Sequence, residues 1–177
     1  MKKKISCVIL TLLYWLSTFV IAGYAPLRSE NLSHIANALN HRITFILWCL
    51  FTIIMMSFGV RDYVNQSLKR RFYRKTVYLA AILFFMNSLF PYFPDRYQLL
   101  SFIHLLCGFF GPLLLYITLL SILLEQYMNS LELNLWLCLG LVTFGIILKY
   151  GSINSLSEIF LALGIVTFLQ WKHMTKL

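Results

Sequence analysis

The residues best suited to chemistry are Asp95 and His104, which flank the start of a long apolar segment. An aspartate close to a histidine can orient the imidazole and raise its basicity, as a general base requires. The same side chains would serve equally in a structural hydrogen bond at a helix start, where a carboxylate also suits the helix dipole. Neighbouring Arg96 would then neutralise Asp95. Asp95 and His104 are therefore candidate catalytic residues, with a structural role open beside the catalytic one.

Glu158 is the other residue with a claim to more than packing. It forms a stripe with Asn154 and Ala162 at helical spacing within an apolar segment. Because burial of an unpaired carboxylate is costly, Glu158 should be neutral, near the membrane interface or paired. The candidate partners on its side of the membrane are His104, Arg96 and Lys149.

A polar stretch over residues 25–42 supplies two further candidates. Glu30 and His34 lie four positions apart and would share one side of a helical turn, although the default for such a stretch is a solvated loop. They join the candidate pocket residues Arg96, Ser101 and Glu158. Their spacing matches no metal-binding signature, and the cysteines lie far apart inside apolar segments, at positions 7, 49, 107 and 138. The sequence therefore predicts no metal and no cofactor.

Membrane helices must position these side chains. Of the 177 residues, 60% are hydrophobic and 12% are charged, which is too apolar for a soluble domain. Six apolar runs each match the roughly 17–25 residues that a helix needs to cross a bilayer. The runs cover residues 5–24, 43–60, 76–93, 99–124, 133–150 and 153–171. We therefore expect an all-α, polytopic membrane bundle of about six transmembrane helices, forming a single domain over residues 1–177.

Charge placement predicts the orientation of this bundle. Most of the fifteen Lys and Arg residues fall at the N-terminus, between the second and third runs, and after the sixth run. The exceptions are Arg28, Arg42, Arg96 and Lys149. The positive-inside rule thus places both termini in the cytoplasm of a cell-membrane protein, although the connection 125–132 carries two acids and no base. The first run resembles a signal peptide but exceeds the usual apolar core of about 7–15 residues, so we expect an uncleaved span.

The net charge is +9, and the basic residues that produce it lie in short stretches between apolar runs, where they would meet anionic lipid head groups. This placement argues against a nucleic-acid partner, which a strongly basic soluble domain would suggest. The expected partners are membrane lipids, with a membrane protein or self-association as alternatives.

The fourth run has the clearest two-faced pattern. Small and polar residues recur at helical spacing on one face, and large apolar residues occupy the other. The first face, which we expect to point into the bundle, consists of Ser101, His104, Gly108, Gly111, Leu115 and Thr118. This face would either pack helices closely or contribute to a polar pocket at His104. Pro112 predicts a kink, because it leaves the carbonyl of Gly108 without its helical partner.

Several short motifs resemble those of a known family. They are Gly23-Tyr24-Ala25-Pro26, Ser29-Glu30-Asn31-Leu32-Ser33 and Ser88-Leu89-Phe90-Pro91, followed by Asp95 and His104. Together they resemble a group of six-helix bacterial membrane proteins catalogued as domain of unknown function 998. The resemblance covers most of the chain and implies a fold but no activity. The seven-helix membrane hydrolases that include alkaline ceramidases hold a zinc ion with several histidines and an aspartate inside the membrane. This sequence is unlike them, because His104 alone lies within an apolar run, unless His34 or His41 folds back to supply further ligands.

Three functional hypotheses follow. The first is a membrane protein, not demonstrably an enzyme, that binds a lipid, a small amphiphile or a membrane partner in an outward-facing polar pocket near Asp95, His104 and Glu158. The second is a membrane-embedded hydrolase acting on a lipid head group, with His104 as base and Asp95 orienting it. The third is a small proton-linked transporter or immunity-type protein that uses Glu158 and His104.

Overall fold

The computed structural model describes residues 2–24, 27–29, 31–33, 41–93, 95–126 and 130–176. Over these residues the chain is all-α, and each predicted run forms one helix, which confirms the expected bundle architecture. The helices are α1 (Lys2–Ala22), α2 (Arg42–Gln66), α3 (Arg70–Leu89), α4 (Gln98–Gln126), α5 (Leu131–Tyr150) and α6 (Ser155–Lys176).

Four of these helices, α1, α2, α4 and α5, are long and apolar enough to cross a membrane. They expose large apolar side chains, as a lipid-facing surface does, among them Leu12, Ile43, Phe102 and Leu141. The other two helices are less apolar for different reasons. α3 begins in a run of Arg and Lys, whereas α6 carries Glu158 and Gln170.

Successive helices run in opposite directions, so the bundle has two ends. At one end the N-terminus of α6 meets the segment after α1, where the Leu32 backbone nitrogen donates to Glu158. We call this the Glu158 end. At the other end, Lys69 before α3 lies 2.9 Å from Glu125 in the last turn of α4. We call this the Lys69 end.

Helix α6 packs against α1, α2 and α5, and polar side chains reinforce these contacts. Gln170 accepts from the Cys7 thiol of α1 at 3.1 Å and donates to the Met55 carbonyl of α2 at 2.7 Å. Trp15 donates to Thr167 at 2.9 Å. Because lipid offers no hydrogen-bond partner, polar groups inside a membrane bundle bind one another. These bonds explain why α6 tolerates polar residues along its length.

Helices α3 and α4 form the most extensive contact in the bundle. Gly111 permits this close approach, because a Cβ atom there would lie 3.0 Å from the Phe84 backbone nitrogen of α3. Five residues of the predicted inward face of α4 are buried, and Gly108 is half-buried, which confirms that this face points into the bundle. The five are Ser101, His104, Gly111, Leu115 and Thr118. On the opposite face, Phe102, Leu106, Phe110 and Ile117 are exposed, whereas Leu113 and Leu120 are half-buried. The helix continues through Pro112.

Helix α5 joins α4 through an aromatic pair near the Lys69 end. The rings of Tyr116 and Trp136 stack with their centroids 5.0 Å apart. Tyr116 donates its hydroxyl to the Trp136 carbonyl, and the Trp136 indole donates to the Tyr116 carbonyl, at 3.1 and 3.2 Å. Contacts between α4 and α5 are otherwise few, which leaves a gap between these helices towards the Glu158 end.

Candidate functional site

The gap between α4 and α5 is part of a cavity of about 660 Å³. This volume falls within the range of roughly 300–1,000 Å³ that is typical of small-molecule sites. On α2 the lining extends from Phe45 to Val60, a distance of about 22 Å at the helical rise. Apolar side chains from α2, α4 and α6 form the floor, including Met56, Leu115 and Ile165. The cavity is therefore elongated along the helix axes.

The cavity opens sideways between α4 and α5. Phe109 on α4 lines it and is 49% exposed, and Leu141 and Phe144 on α5 line it with exposures of 70% and 58%. The stacked pair of Tyr116 and Trp136 closes the gap at the Lys69 end. The residues at the opening are apolar, and both helices are long and apolar enough to cross a membrane. The entrance therefore lies on the side surface of the bundle, between the exposed apolar faces of α4 and α5.

Glu158 reaches the cavity from the first turn of α6. The start of the helix is formed by Asn154 and Ser157: Asn154 Oδ1 accepts from the Ser157 backbone nitrogen at 3.0 Å, and Ser157 Oγ donates to the Asn154 carbonyl at 2.8 Å. This cap holds Glu158 over the cavity, where its Oε2 accepts from the Leu32 backbone nitrogen at 2.6 Å. A carboxylate at this position also suits the partial positive charge of a helix N-terminus.

The partner of Glu158 is thus a backbone amide, and not one of the side chains expected from the sequence. Over the described residues, Glu158 contacts no basic side chain. Lys149 lies over the Tyr150 ring instead, and Arg96 is exposed. His104 bonds elsewhere, as described below.

Three acids at the Lys69 end behave differently. Glu125 contacts Lys69, Glu132 contacts Lys172, and Asp62 lies 2.8 Å from His173. The two acids of the connection 125–132 thus find bases on other elements at the same end of the bundle. The Tyr73 hydroxyl also donates to Glu125 at 2.7 Å. Burial of Tyr73 and the adjacent carboxylate raise the pKa of this phenol to about 12, so it stays protonated.

Asn87 is a second polar side chain in the cavity lining. It is 8% exposed, and its Oδ1 has no hydrogen-bond partner over the described residues. Gly108 of α4 makes room for it, since a Cβ atom there would lie 2.9 Å from Oδ1. Asn87 belongs to the Glu158 end, because Phe84, one turn before it, packs on the cluster that contains Ile159. Glu158 and Asn87 thus lie at one end of a mainly apolar cavity, together with Ser33 and Ser157, whose hydroxyl groups donate to Asn31 and to the Asn154 carbonyl.

His104 holds the chain that follows α3. Its Nδ1 lies 2.9 Å from the Phe90 carbonyl, and its ring centroid lies 5.6 Å from that of Tyr92. Because a carbonyl only accepts, Nδ1 carries the hydrogen of this bond. One turn earlier, Ser101 Oγ accepts from the Phe93 backbone nitrogen at 2.9 Å. His104 and Ser101 together fasten segment 90–93 to α4, and neither lines the cavity.

The remaining candidates from the sequence lie apart from this arrangement. Asp95 and Arg96 are exposed in the turn before α4, and over the described residues neither side chain forms a hydrogen bond or an ion pair. Asp95 and His104 therefore form no hydrogen bond with each other. Glu30 and His34 lie outside the described residues.

Sequence reasoning missed Asn87 as a site residue. The signal was present, because an amide two positions from the end of an apolar helix is costly in hydrocarbon unless it has a partner. The cavity itself left no sequence signal, since most of its lining consists of ordinary apolar residues from five helices.

No protein-family model, curated protein or solved structure matches the chain. The resemblance to the six-helix family therefore stays a prediction.

Proposed function

We propose that this is a multi-pass membrane protein that binds a lipid or small amphiphile in the cavity between α4 and α5. The observation that carries the proposal is the cavity itself, with an apolar lining, a sideways opening and the Glu158 carboxyl group at one end. An alkyl chain fits the elongated apolar part, and a head group fits the polar end. The opening between Phe109 and Phe144 would admit such a molecule directly from the bilayer.

We also propose that the Lys69 end faces the cytoplasm of the cell membrane. Lys69, Arg70, Arg71, Arg74 and Lys75 are exposed at this end, where they would meet anionic head groups. Both termini belong to the same end, because α1 begins there and α6 ends there. The Glu158 end of the cavity would then lie in the outer leaflet.

The geometry supports binding better than hydrolysis. A general base must reach the proton that it removes, directly or through one water. His104 is buried, its Nδ1 is engaged by the Phe90 carbonyl, and it does not line the cavity. Asp95, the residue expected to orient it, is exposed. We therefore take binding as the function, with Glu158 in place of His104 as its central residue.

Photolabelling tests the proposal. The purified protein is placed in neutral phosphatidylcholine nanodiscs that contain a lipid with a chain-borne diazirine, and labelled residues are mapped by mass spectrometry. We expect adducts on the cavity floor at Met56 and Leu115. Labelling by lipid around the protein would instead give adducts at exposed residues such as Phe102. Adducts confined to outward-facing positions would contradict binding.

A matched pair of variants on α5 strengthens the test. Thr143 lines the cavity and is buried, whereas the adjacent Val142 is exposed and does not line it. Thr143→Phe fills the cavity and should abolish floor labelling. Val142→Phe adds a similar ring on the lipid side and should leave the labelling unchanged.

A further inference from the structure

We infer that the ligand of this cavity is a long-chain amphiphile with a positively charged, hydrogen-bond-donating head group, such as a primary ammonium. The inference rests on the proposed function and specifies the chemical class of the ligand. It follows from the polar groups at the Glu158 end and from the lack of a basic side chain beside Glu158 among the described residues.

The apolar lining cannot by itself select a ligand from a bilayer. An acyl chain that moves from lipid into an apolar cavity leaves one apolar environment for another, so little free energy is gained. Selectivity must therefore come from the head group. At the Glu158 end, the cavity offers Glu158 and Asn87 to that head group, beside Ser33 and Ser157, whose hydroxyl groups already donate within the protein.

The hydrogen-bonding capacity of these groups calls for a donor. An ionised carboxylate only accepts hydrogen bonds, and over the described residues Glu158 uses one oxygen for a single bond, from Leu32. Among the described residues, Asn87 Oδ1 has no hydrogen-bond partner. Because a half-turn of the amide group exchanges the positions of its oxygen and nitrogen, Asn87 can turn this acceptor towards the cavity. An ammonium group brings three donors and no acceptor. A carboxylate or phosphate head group brings acceptors alone and would repel Glu158.

Charge distribution points the same way. Three acids at the Lys69 end each contact a basic side chain, whereas Glu158 contacts none over the described residues. Over the part of the chain that the structure describes, two bases of the Glu158 end are engaged elsewhere: Arg42 donates to the Leu89 carbonyl, and Lys149 lies over Tyr150. A carboxylate held in an apolar cavity without a counter-charge is costly, and a bound ammonium group with its hydrogen bonds would offset part of that cost.

Competition between three matched amphiphiles tests the inference. Dodecylamine, dodecanol and dodecanoate share a chain length and differ in head group. Each is added to neutral nanodiscs, and its ability to protect Met56 and Leu115 from the diazirine lipid is measured as a function of mole fraction. We expect dodecylamine to protect at a mole fraction at least about tenfold below that of the other two, the effect of one hydrogen-bonded charge.

Glu158→Gln removes the charge and keeps the side-chain shape, so it should abolish the advantage of the amine. Glu125→Gln makes the same chemical change at the Lys69 end and should leave the advantage intact. Asn87→Leu, which removes the second polar group, should reduce the advantage and gives an independent reading if Glu158→Gln folds poorly.

The outcomes separate the two proposals. If the wild-type floor is never labelled, the proposed function fails. If the floor is labelled but the three amphiphiles protect equally, or the amine advantage persists in Glu158→Gln, lipid binding stands and the ammonium inference is overturned.

Discussion

Glu158 Oε2 on α6 lies 2.6 Å from the backbone nitrogen of Leu32, in the segment between α1 and α2. This bond joins the first turn of α6 to a part of the chain that follows α1. It also leaves the carboxyl group with an amide partner and no basic partner over the described residues. The hydrogen bond and the negative charge of Glu158 make separate contributions to the free energy of unfolding, and substitutions can measure each.

Substitutions at Glu158 should separate the hydrogen bond from the charge. Gln keeps an acceptor for the Leu32 amide and removes the cost of burying a charge, so Glu158→Gln should unfold at the same temperature as wild type or higher. Glu158→Leu leaves that amide without its partner and should lower the free energy of unfolding by about 1–3 kcal/mol. Thermal unfolding in detergent measures both. Greater loss in the Gln variant than in the Leu variant would refute this account.

The contact between His104 and the Phe90 carbonyl should be structural. His104→Ala removes a buried partner of that carbonyl and should cost about 1–3 kcal/mol of stability. Asp95→Asn changes an exposed side chain and should stay within about 0.5 kcal/mol of wild type. Comparable destabilisation by both variants would instead indicate the Asp95–His104 pair that the sequence suggested.

The approach of α3 to α4 should be sensitive to a single methyl group at Gly111. The added Cβ atom of Gly111→Ala meets the Phe84 backbone at 3.0 Å, so the helices must separate at a cost of about 1–3 kcal/mol. Gly145 on α5 is the control, because a Cβ atom there meets nothing within 4 Å. Gly145→Ala should be neutral or stabilising, since alanine favours the helix by up to about 1 kcal/mol over glycine. Equal unfolding temperatures for the two variants would count against the close approach.

The Tyr73 phenol should titrate later than an ordinary tyrosine. Its pKa is raised to about 12, so it stays neutral through the range near pH 10 in which exposed tyrosines ionise. Because the folded pKa lies above the unfolded one, the contribution of Tyr73 to stability is complete below about pH 10 and is lost as the pH rises towards 12. Ultraviolet difference titration of the wild type against Tyr73→Phe isolates this group. A difference signal centred near pH 10 would contradict the bond to Glu125.

The amino-acid sequence by itself determined the helices and the inward face of α4. Long apolar runs in a strongly apolar chain leave few alternatives to helices, because backbone groups in lipid must bind within their own segment. The spacing of Ser101, His104, Gly111 and Thr118 identified the buried face, since helical periodicity is a local property. The apolar runs also predicted α3 and α6 as helices, although these two are less apolar than the other four.

Only the tertiary structure decided which of these residues meet. Asp95 and His104 are close in sequence, yet His104 bonds to Phe90, because the chain after α3 folds back onto α4. Glu158 finds Leu32, far away in the sequence, because α6 packs beside α1 and α2. The cavity exists because α5 is tied to α4 at Tyr116 and Trp136 and diverges from it elsewhere. Such relations depend on how helices pack, and helical periodicity specifies only which face packs.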